Sequence, residues 1–403
     1  MSSSETVQVA IFLEKNGHTA ELPGVSYDIA SGALLASKNG EILSQAYPEL
    51  VGASAKLRFD MGPVKIPETG ETVRLAGDIP IIQTYSPRYP VSALEQLVRK
   101  VGRDITSHVD KFALADTRKV EKLCKSLLLF VTGVIPSGFE IPWDTLLPVV
   151  DVFIFVFLVD DKFDEVQEGE DVSKSSWFEM AARFRSMDEC EVNEEDSLFR
   201  FVEECKRGLR RMENFPGESE PVRRAVEEWL IREGEALEGT AEEKTAAAYL
   251  AERRYTSGFK LSCEVLALSL HIAITPEQRE DPVFQELEDL WATLAGLAND
   301  VYSLAKEVEQ GEESNYLLVA GKSGEFSNIS TCLTYLLEVL MPRTIQKVKI
   351  LEEELLLKYD GDENLENYFK LADNSYDAMV KWSPWSGRFG RFKEGSVSMV
   401  FTQ

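Results

Sequence analysis

Phe153-Ile154-Phe155-Val156-Phe157-Leu158-Val159-Asp160-Asp161-Lys162-Phe163-Asp164-Glu165 runs from an apolar half straight into a carboxylate half. The mostly apolar stretch begins at Leu146 and holds one charge, Asp151. It is too short to span a bilayer and reads as a buried helix. On that helix Asp160 and Asp164 share a face one turn apart. Two carboxylates so placed repel unless a cation lies between them. Hard oxygen donors of this kind suit Mg²⁺, which keeps waters and takes further oxygens from a substrate phosphate. Phe157 and Phe153 precede Asp160 by three and seven residues on the same face. The plain alternative is a solvated acidic helix end, which the buried run just upstream weakens. A calcium-binding EF-hand loop fails, because Glu165 stands where its glycine is needed.

A second stripe lies downstream in Ala298-Asn299-Asp300-Val301-Tyr302-Ser303-Leu304-Ala305-Lys306-Glu307. Asn299, Ser303 and Glu307 are spaced i, i+4, i+8, a line along two helical turns. They offer an amide carbonyl, a hydroxyl and a carboxylate. Such a set chelates one hard cation with little charge of its own, which leaves room for an anionic phosphate. Lys306 lies beside it, within reach of a phosphate oxygen. Polar surface alone rarely produces this string.

The two stripes, in this order and on helices, resemble the aspartate-rich D-D-x-x-D-E and the N-D-x-x-S-x-x-K-E metal-binding signatures of the microbial single-domain class I terpene synthases. The resemblance covers about residues 85 to 392. It implies an all-α bundle around an apolar cavity. It also implies three Mg²⁺ ions between the stripes, with metal ligands Asp160, Asp164, Asn299, Ser303 and Glu307 and with Asp161 beside them. Arg253-Arg254-Tyr255-Thr256-Ser257-Gly258 resembles the family's diphosphate-sensing arginine followed by a helix break at the reacting carbon. Spacing to Gly258 favours Arg254 as the sensor and leaves Arg253 open; Thr256, Ser257 and Gly258 would form the break. Trp382-Ser-Pro-Trp385-Ser-Gly-Arg388-Phe389 resembles the family's Arg-Tyr pair, with Phe389 where tyrosine is usual. Arg388 is carried over as a diphosphate ligand, with Arg254 and Lys306, and Phe389 is not. Trp382 would face the cavity, where an indole stabilises a carbocation. Phe153, Phe157, Trp291 and Tyr255 are further wall candidates by helical phase.

Composition agrees. The 403 residues carry 43 basic and 69 acidic side chains, a net charge of -26. That balance argues against nucleic acid and anionic membrane as partners. An anionic substrate then requires divalent cations to reverse the sign locally. The five cysteines are scattered without a C-x-x-C pair, which fits a reducing compartment. Three distant histidines make imidazole metal sites and His-based triads unattractive. The opening Met-Ser-Ser-Ser-Glu-Thr lacks the basic and apolar segments of a secretory signal. A cytoplasmic enzyme without membrane insertion is expected; a homodimer is left open.

Residues 1–82 are rich in Gly, Ser and Thr, with short strand-like runs at Val7–Phe12, Lys56–Phe59 and Thr72–Leu75. They are expected to form a less helical extension of unassigned role. Residues 83–403 are expected to form the helical domain. Apolar spacing predicts helices over Leu94–Phe112, Val120–Val131, Leu146–Phe163, Ser175–Met187, Ser197–Met212, Pro221–Leu237 and Ala241–Tyr255. Others are predicted over Lys260–Ile272, Pro282–Glu309, Ile329–Tyr359 and Leu365–Trp382.

The function implied is Mg²⁺-dependent ionisation and cyclisation of a linear isoprenyl diphosphate, farnesyl diphosphate being the commonest choice in the family. Twenty- or twenty-five-carbon substrates fit the same residues. A chain-elongating prenyl synthase would want a second D-D-x-x-D where Asn299-Asp300-Val-Tyr-Ser303 stands. A non-catalytic helical binding protein and a Mg²⁺-dependent phosphohydrolase are the rivals from other classes.

Overall fold

In the computed structural model, residues 6–8, 10–15, 18–22, 25–28, 33–36, 41–42, 50, 53–67, 69–82, 107, 111–112, 143–167, 175–186, 197–214, 217–236, 245–385, 389 and 396–402 are described. The helices expected over Leu94–Phe112 and Val120–Val131 lie almost wholly outside these, and Arg388 lies outside them too.

The apolar run at Leu146–Val159 folds as α1 (Trp143–Gln167), which carries the first acidic motif in its last turns. Apolar on nearly every face, it is walled in, with Val149, Val150, Val152, Ile154, Phe155 and Val159 all fully buried. Amphipathic segments follow as α2 (Ser175–Arg185), α3 (Ser197–Met212), α4 (Glu220–Ala236) and α5 (Ala246–Thr256). Next come α6 (Phe259–Ser269), the short α7 (Pro276–Glu280) and the long α8 (Pro282–Gln310). Asp281 caps the start of α8 by accepting from Val283 N, Pro282 opens its first turn, and Gly311 ends it at φ 73°. Beyond it lie α9 (Tyr316–Lys322) and α10 (Ile329–Tyr335), then a π-turn (Leu336–Leu340) running into α11 (Met341–Lys358), then α12 (Glu363–Trp382). The predicted single helix over Ile329–Tyr359 is thus interrupted by a π-turn just before Pro342. A proline cannot donate the backbone hydrogen bond that a regular helix needs there.

Helix α8 is the pillar of the bundle, packed against α5, α6, α11 and α12. Its inward face buries Phe284, Leu287, Trp291, Leu294, Leu297, Val301 and Leu304. At about 1.5–3 kcal/mol for each such side chain, this face outweighs any propensity term in holding the helix. Helix α1 lies on α3 and α6. Gly208 of α3 leaves room there for Pro148 of α1, whose ring a Cβ would meet at 3.0 Å.

The extension is made of strands, as its composition suggests. β1 (Thr6–Gln8), β4 (Val25–Asp28), β5 (Ala33–Ala36) and β6 (Glu41–Ile42) form one antiparallel sheet. β2 (Ala10–Lys15), β3 (His18–Leu22), β7 (Ser54–Lys65) and β8 (Thr72–Pro80) belong to a second. The sequence reading has no strand after residue 82, yet β9 (Val397–Thr402) sits in the middle of this second sheet, whose order is β3-β2-β9-β7-β8. β9 runs parallel to β2, with Ile11 opposite Met399, and antiparallel to β7, with Leu57 also opposite Met399. Residues Val397–Phe401 are buried on both faces, so no alternation marks β9 as a strand.

The sheet is fastened to the helices. Ile82 N donates to Asp377 Oδ1 at 2.8 Å, and Tyr376 OH donates to Pro80 O at 3.0 Å. Gly77 of β8 lies so close to the π-turn that a Cβ would stand 2.3 Å from Leu337 Cδ1. Glu71 accepts from Ile329 N and Ser330 N at the start of α10.

Candidate active site

Asn299, Ser303 and Glu307 fall on consecutive turns of α8, as their spacing requires. Their oxygens are held from two sides. Arg253, on the last turn of α5, donates Nη2 to Asn299 Oδ1 at 2.9 Å and Nε to Asp300 Oδ1 at 3.0 Å. Asn315, the cap of α9, donates Nδ2 to Glu307 Oε2 at 2.7 Å and to Asp300 O at 2.8 Å. Ser303 Oγ donates to Asn299 O at 2.9 Å.

Asp300 is fully buried and would cost heavily if unpaired. Besides Arg253, it accepts from Tyr249 OH at 2.8 Å and from Tyr316 N at 3.2 Å. Burial opposes the charge on Arg253, but Asp300, the Tyr249 phenol and Glu307 outweigh it and hold the guanidinium protonated. At Glu307 burial dominates and Asp300 adds to it, pushing the carboxyl up to about 8. Truncating Arg253 would leave a buried carboxylate unpaired, typically a loss of about 3–5 kcal/mol.

Adjacent arginines on a helix point in different directions, and here they part. Arg254 pairs with Asp289 and lays its guanidinium over the Tyr255 ring, 4.7 Å from its centre. Asp289 is ten residues before Asn299, about 15 Å along the helix. Arg253, the position left open by spacing, is therefore the one joined to the stripe, and Arg254 is not. Helix α5 ends at Thr256, Ser257 caps it, and Gly258 adopts φ 66° before α6 begins. A Cβ at Gly258 would meet nothing within 4 Å, so the glycine is there for its backbone conformation. Thr256 Oγ1 accepts from Arg253 Nη1 at 3.4 Å, which links the break to the same arginine.

Asp160, Asp161 and Asp164 are on the last turns of α1; their side chains lie outside the described residues. What places α1 relative to α8 is a series of rings. Phe157 of α1 meets Trp382 at 6.1 Å between centres, Trp382 meets Phe389 at 6.5 Å, and Phe389 stacks on Tyr302 at 6.0 Å. Tyr302 is the neighbour of Ser303, and Phe157 lies three residues before Asp160. The two motif-bearing helices thus share one aromatic wall. Phe153 is buried on α1, and Lys306 is partly buried on α8. Trp291 is core instead of wall: it is buried against Tyr368 and Phe369 and donates its indole N–H to Asp373 at 3.0 Å.

The donor set of α8 fits a hard divalent cation: one amide oxygen, one hydroxyl and one carboxylate in line. Among the described residues no group of three or more His, Cys, Asp and Glu side chains could hold a metal. The stripe itself brings only one carboxylate. Tyr249, Asn315 and Gly296 are parts of the site that sequence reasoning missed. Gly296, one turn before Asn299, lets the Arg253 stem cross α8, where a Cβ would stand 2.7 Å from Arg253 Cγ. A glycine inside a long helix was the signal available for it. Tyr249 and Asn315 come from other elements and leave no such trace.

The terpene synthase family 2, C-terminal metal binding model matches residues 151–328. A (+)-eremophilene synthase of Sorangium cellulosum is 24% identical over 258 residues, covering 61% of this chain and 74% of that protein. Terpene synthase 6 of Dictyostelium purpureum is 27% identical over 126 residues; the match covers 31% of this chain and 39% of that protein. Among solved structures, 2-methylisoborneol synthase from Streptomyces coelicolor, in complex with Mg²⁺ and 2-fluoroneryl diphosphate, superposes with a TM-score of 0.61. It is 15% identical, and the match covers 71% of this chain and 90% of that one. Hedycaryol synthase in complex with nerolidol gives 0.55 at 15% identity, covering 71% and 94%. No described helix is long and apolar enough to cross a membrane.

Proposed function

We infer, from the premise that this chain is a microbial class I terpene synthase, that it ionises a linear isoprenyl diphosphate, farnesyl diphosphate first among the candidates, and cyclises the cation with release of diphosphate. The observation that carries the reading is the line of oxygens on α8, tied through Arg253 to the helix break at Gly258. One arginine touches both the stripe meant for cations and the turn meant for the reacting carbon. A relative named for making eremophilene supports the choice of substrate, and a similarly folded enzyme crystallised with Mg²⁺ and 2-fluoroneryl diphosphate supports the isoprenyl diphosphate class.

In this mechanism Asn299, Ser303 and Glu307 would hold divalent cation from α8, and Asp160 and Asp164 would hold it from the end of α1. Mg²⁺ bound there would act as Lewis acid on the diphosphate oxygens, and three ions are the number the resemblance implies. Arg253 is the proposed diphosphate sensor, because it is the one of the two arginines that is joined to the Asn299 stripe. Lys306 and Arg388 would supply further positive charge to the diphosphate, as the resemblance implies. As charge develops on the leaving group, these fixed donors stabilise it without reorganising, and the allylic carbon–oxygen bond breaks. Phe157 and Trp382 wall the apolar side, where ring faces shelter a carbocation and exclude water.

The test is turnover of farnesyl diphosphate with Mg²⁺, read by gas chromatography with mass detection. Asp160→Ala and Glu307→Ala should each lower cyclic product by about 10²-fold or more. Undiminished product in both variants would show that these helices do not carry the chemistry.

A further inference from the structure

Phe59 is a strand residue that reaches the cyclase machinery. It lies on β7, 1% exposed, with its ring edge-on to Tyr302 at 5.8 Å and 63°. Tyr302 is itself fully buried, and Phe389 stacks on it at 30° between planes. Its hydroxyl donates to Val380 O on α12 at 3.1 Å. The phenol is therefore clamped by the sheet, by Phe389 and by α12, and the next residue along α8 is Ser303. Phe389 in turn meets Trp382, which meets Phe157.

We propose that Phe59 is a positioning residue of the cyclase site, through which the strand-built extension sets the alignment of Tyr302 and hence of the Asn299–Ser303–Glu307 stripe. The inference rests on the function proposed above. Its physical basis is the tolerance of the ligand set. Mg²⁺ demands near-ideal octahedral geometry, and functional constellations fail when shifted by about 0.5 Å. A void left by the Phe59 ring would free Tyr302 to relax toward the sheet and would let that turn of α8 follow. The sheet can serve as a fixed reference because it is fastened at Ile82, Pro80, Gly77 and Glu71. Phe59 carries no metal-ligating or charged group, and its ring contact is with Tyr302, through which the proposed effect passes.

The experiment uses the full chain and compares Phe59→Ala and Phe59→Leu with Val73→Ala. Val73 is an equally buried strand position, on β8. Binding of inorganic diphosphate in the presence of Mg²⁺ is read by calorimetry, and kcat, KM and product ratios are read with farnesyl diphosphate. F59A is expected to weaken Mg²⁺-dependent diphosphate binding by about tenfold and to redistribute products, the size usual for groups supporting metal ligands. F59L should shift both in the same direction by less, and it carries the test alone if F59A does not fold. V73A should lower the melting temperature and leave both readouts as in the unaltered chain. Unchanged binding and products in the Phe59 variants, or equal changes in V73A, would overturn the assignment. An unaltered chain that neither binds diphosphate with Mg²⁺ nor cyclises any prenyl diphosphate would instead overturn the underlying function, and this inference with it.

Discussion

At the scale of single residues, close approach and burial decide what can be changed. Gly296 has no side chain because Arg253 lies where one would be. A Gly296→Ala substitution favours helix propensity by about 1 kcal/mol, yet it must push the Arg253 stem off α8. The expected outcome is a protein no less helical by circular dichroism whose turnover of farnesyl diphosphate falls by tenfold or more; full activity would detach Arg253 from the site. Away from the site, Glu352 and Asp373 sit buried under the half-exposed Lys349, and Trp291 donates to the same Asp373. Burial first, then Asp373, pushes the Glu352 carboxyl up to about 8, against the pull of Lys349. Its folded value thus lies above its ordinary one near 4.5, so the native state holds the extra proton. Stability from this group falls as pH rises through that interval and is lowest above about 8. Glu352→Gln keeps an acceptor for Lys349 and removes the titration. Melting temperatures followed from pH 5 to 9 should decline less in the variant, and parallel curves would refute the account.

At the scale of elements, helices were easier to read than strands. Ser197–Met212 and Pro282–Glu309 were legible because apolar residues repeat with helical spacing. Asn299, Ser303 and Glu307 were legible for the same reason: a straight stripe needs only a helix. The choice between Arg253 and Arg254 was not, because adjacent positions differ by about 100° of rotation and only the neighbouring helix shows which one faces the stripe. Asn315 and Tyr249 escaped because they reach Glu307 and Asp300 from other elements. β9 escaped because a strand buried on both faces has no alternation, and its partners lie hundreds of residues away.

At the scale of the molecule, the bundle and the strands are one fabric. β9 makes ladders with β2 and β7 at once and buries Val397, Met399, Val400 and Phe401. Four such side chains, at about 1.5–3 kcal/mol each, approach the whole stability of an ordinary domain, roughly 5–15 kcal/mol. Deletion of residues 397–403 should therefore melt the sheet, seen as rapid protease cleavage within residues 6–82 and a steep fall in melting temperature. A truncated chain with an unchanged melt would mean that β9 contributes little.

That arrangement also governs the order of assembly. The ribosome makes the flanking strands early and the inserting strand after every other described element, so β2 and β7 must each wait with a bare edge while the helices that follow them are made. Closure of the sheet thus reports that the helical part has emerged, and a nascent chain stalled anywhere upstream exposes two sticky ribbons to chaperones or to a neighbouring copy.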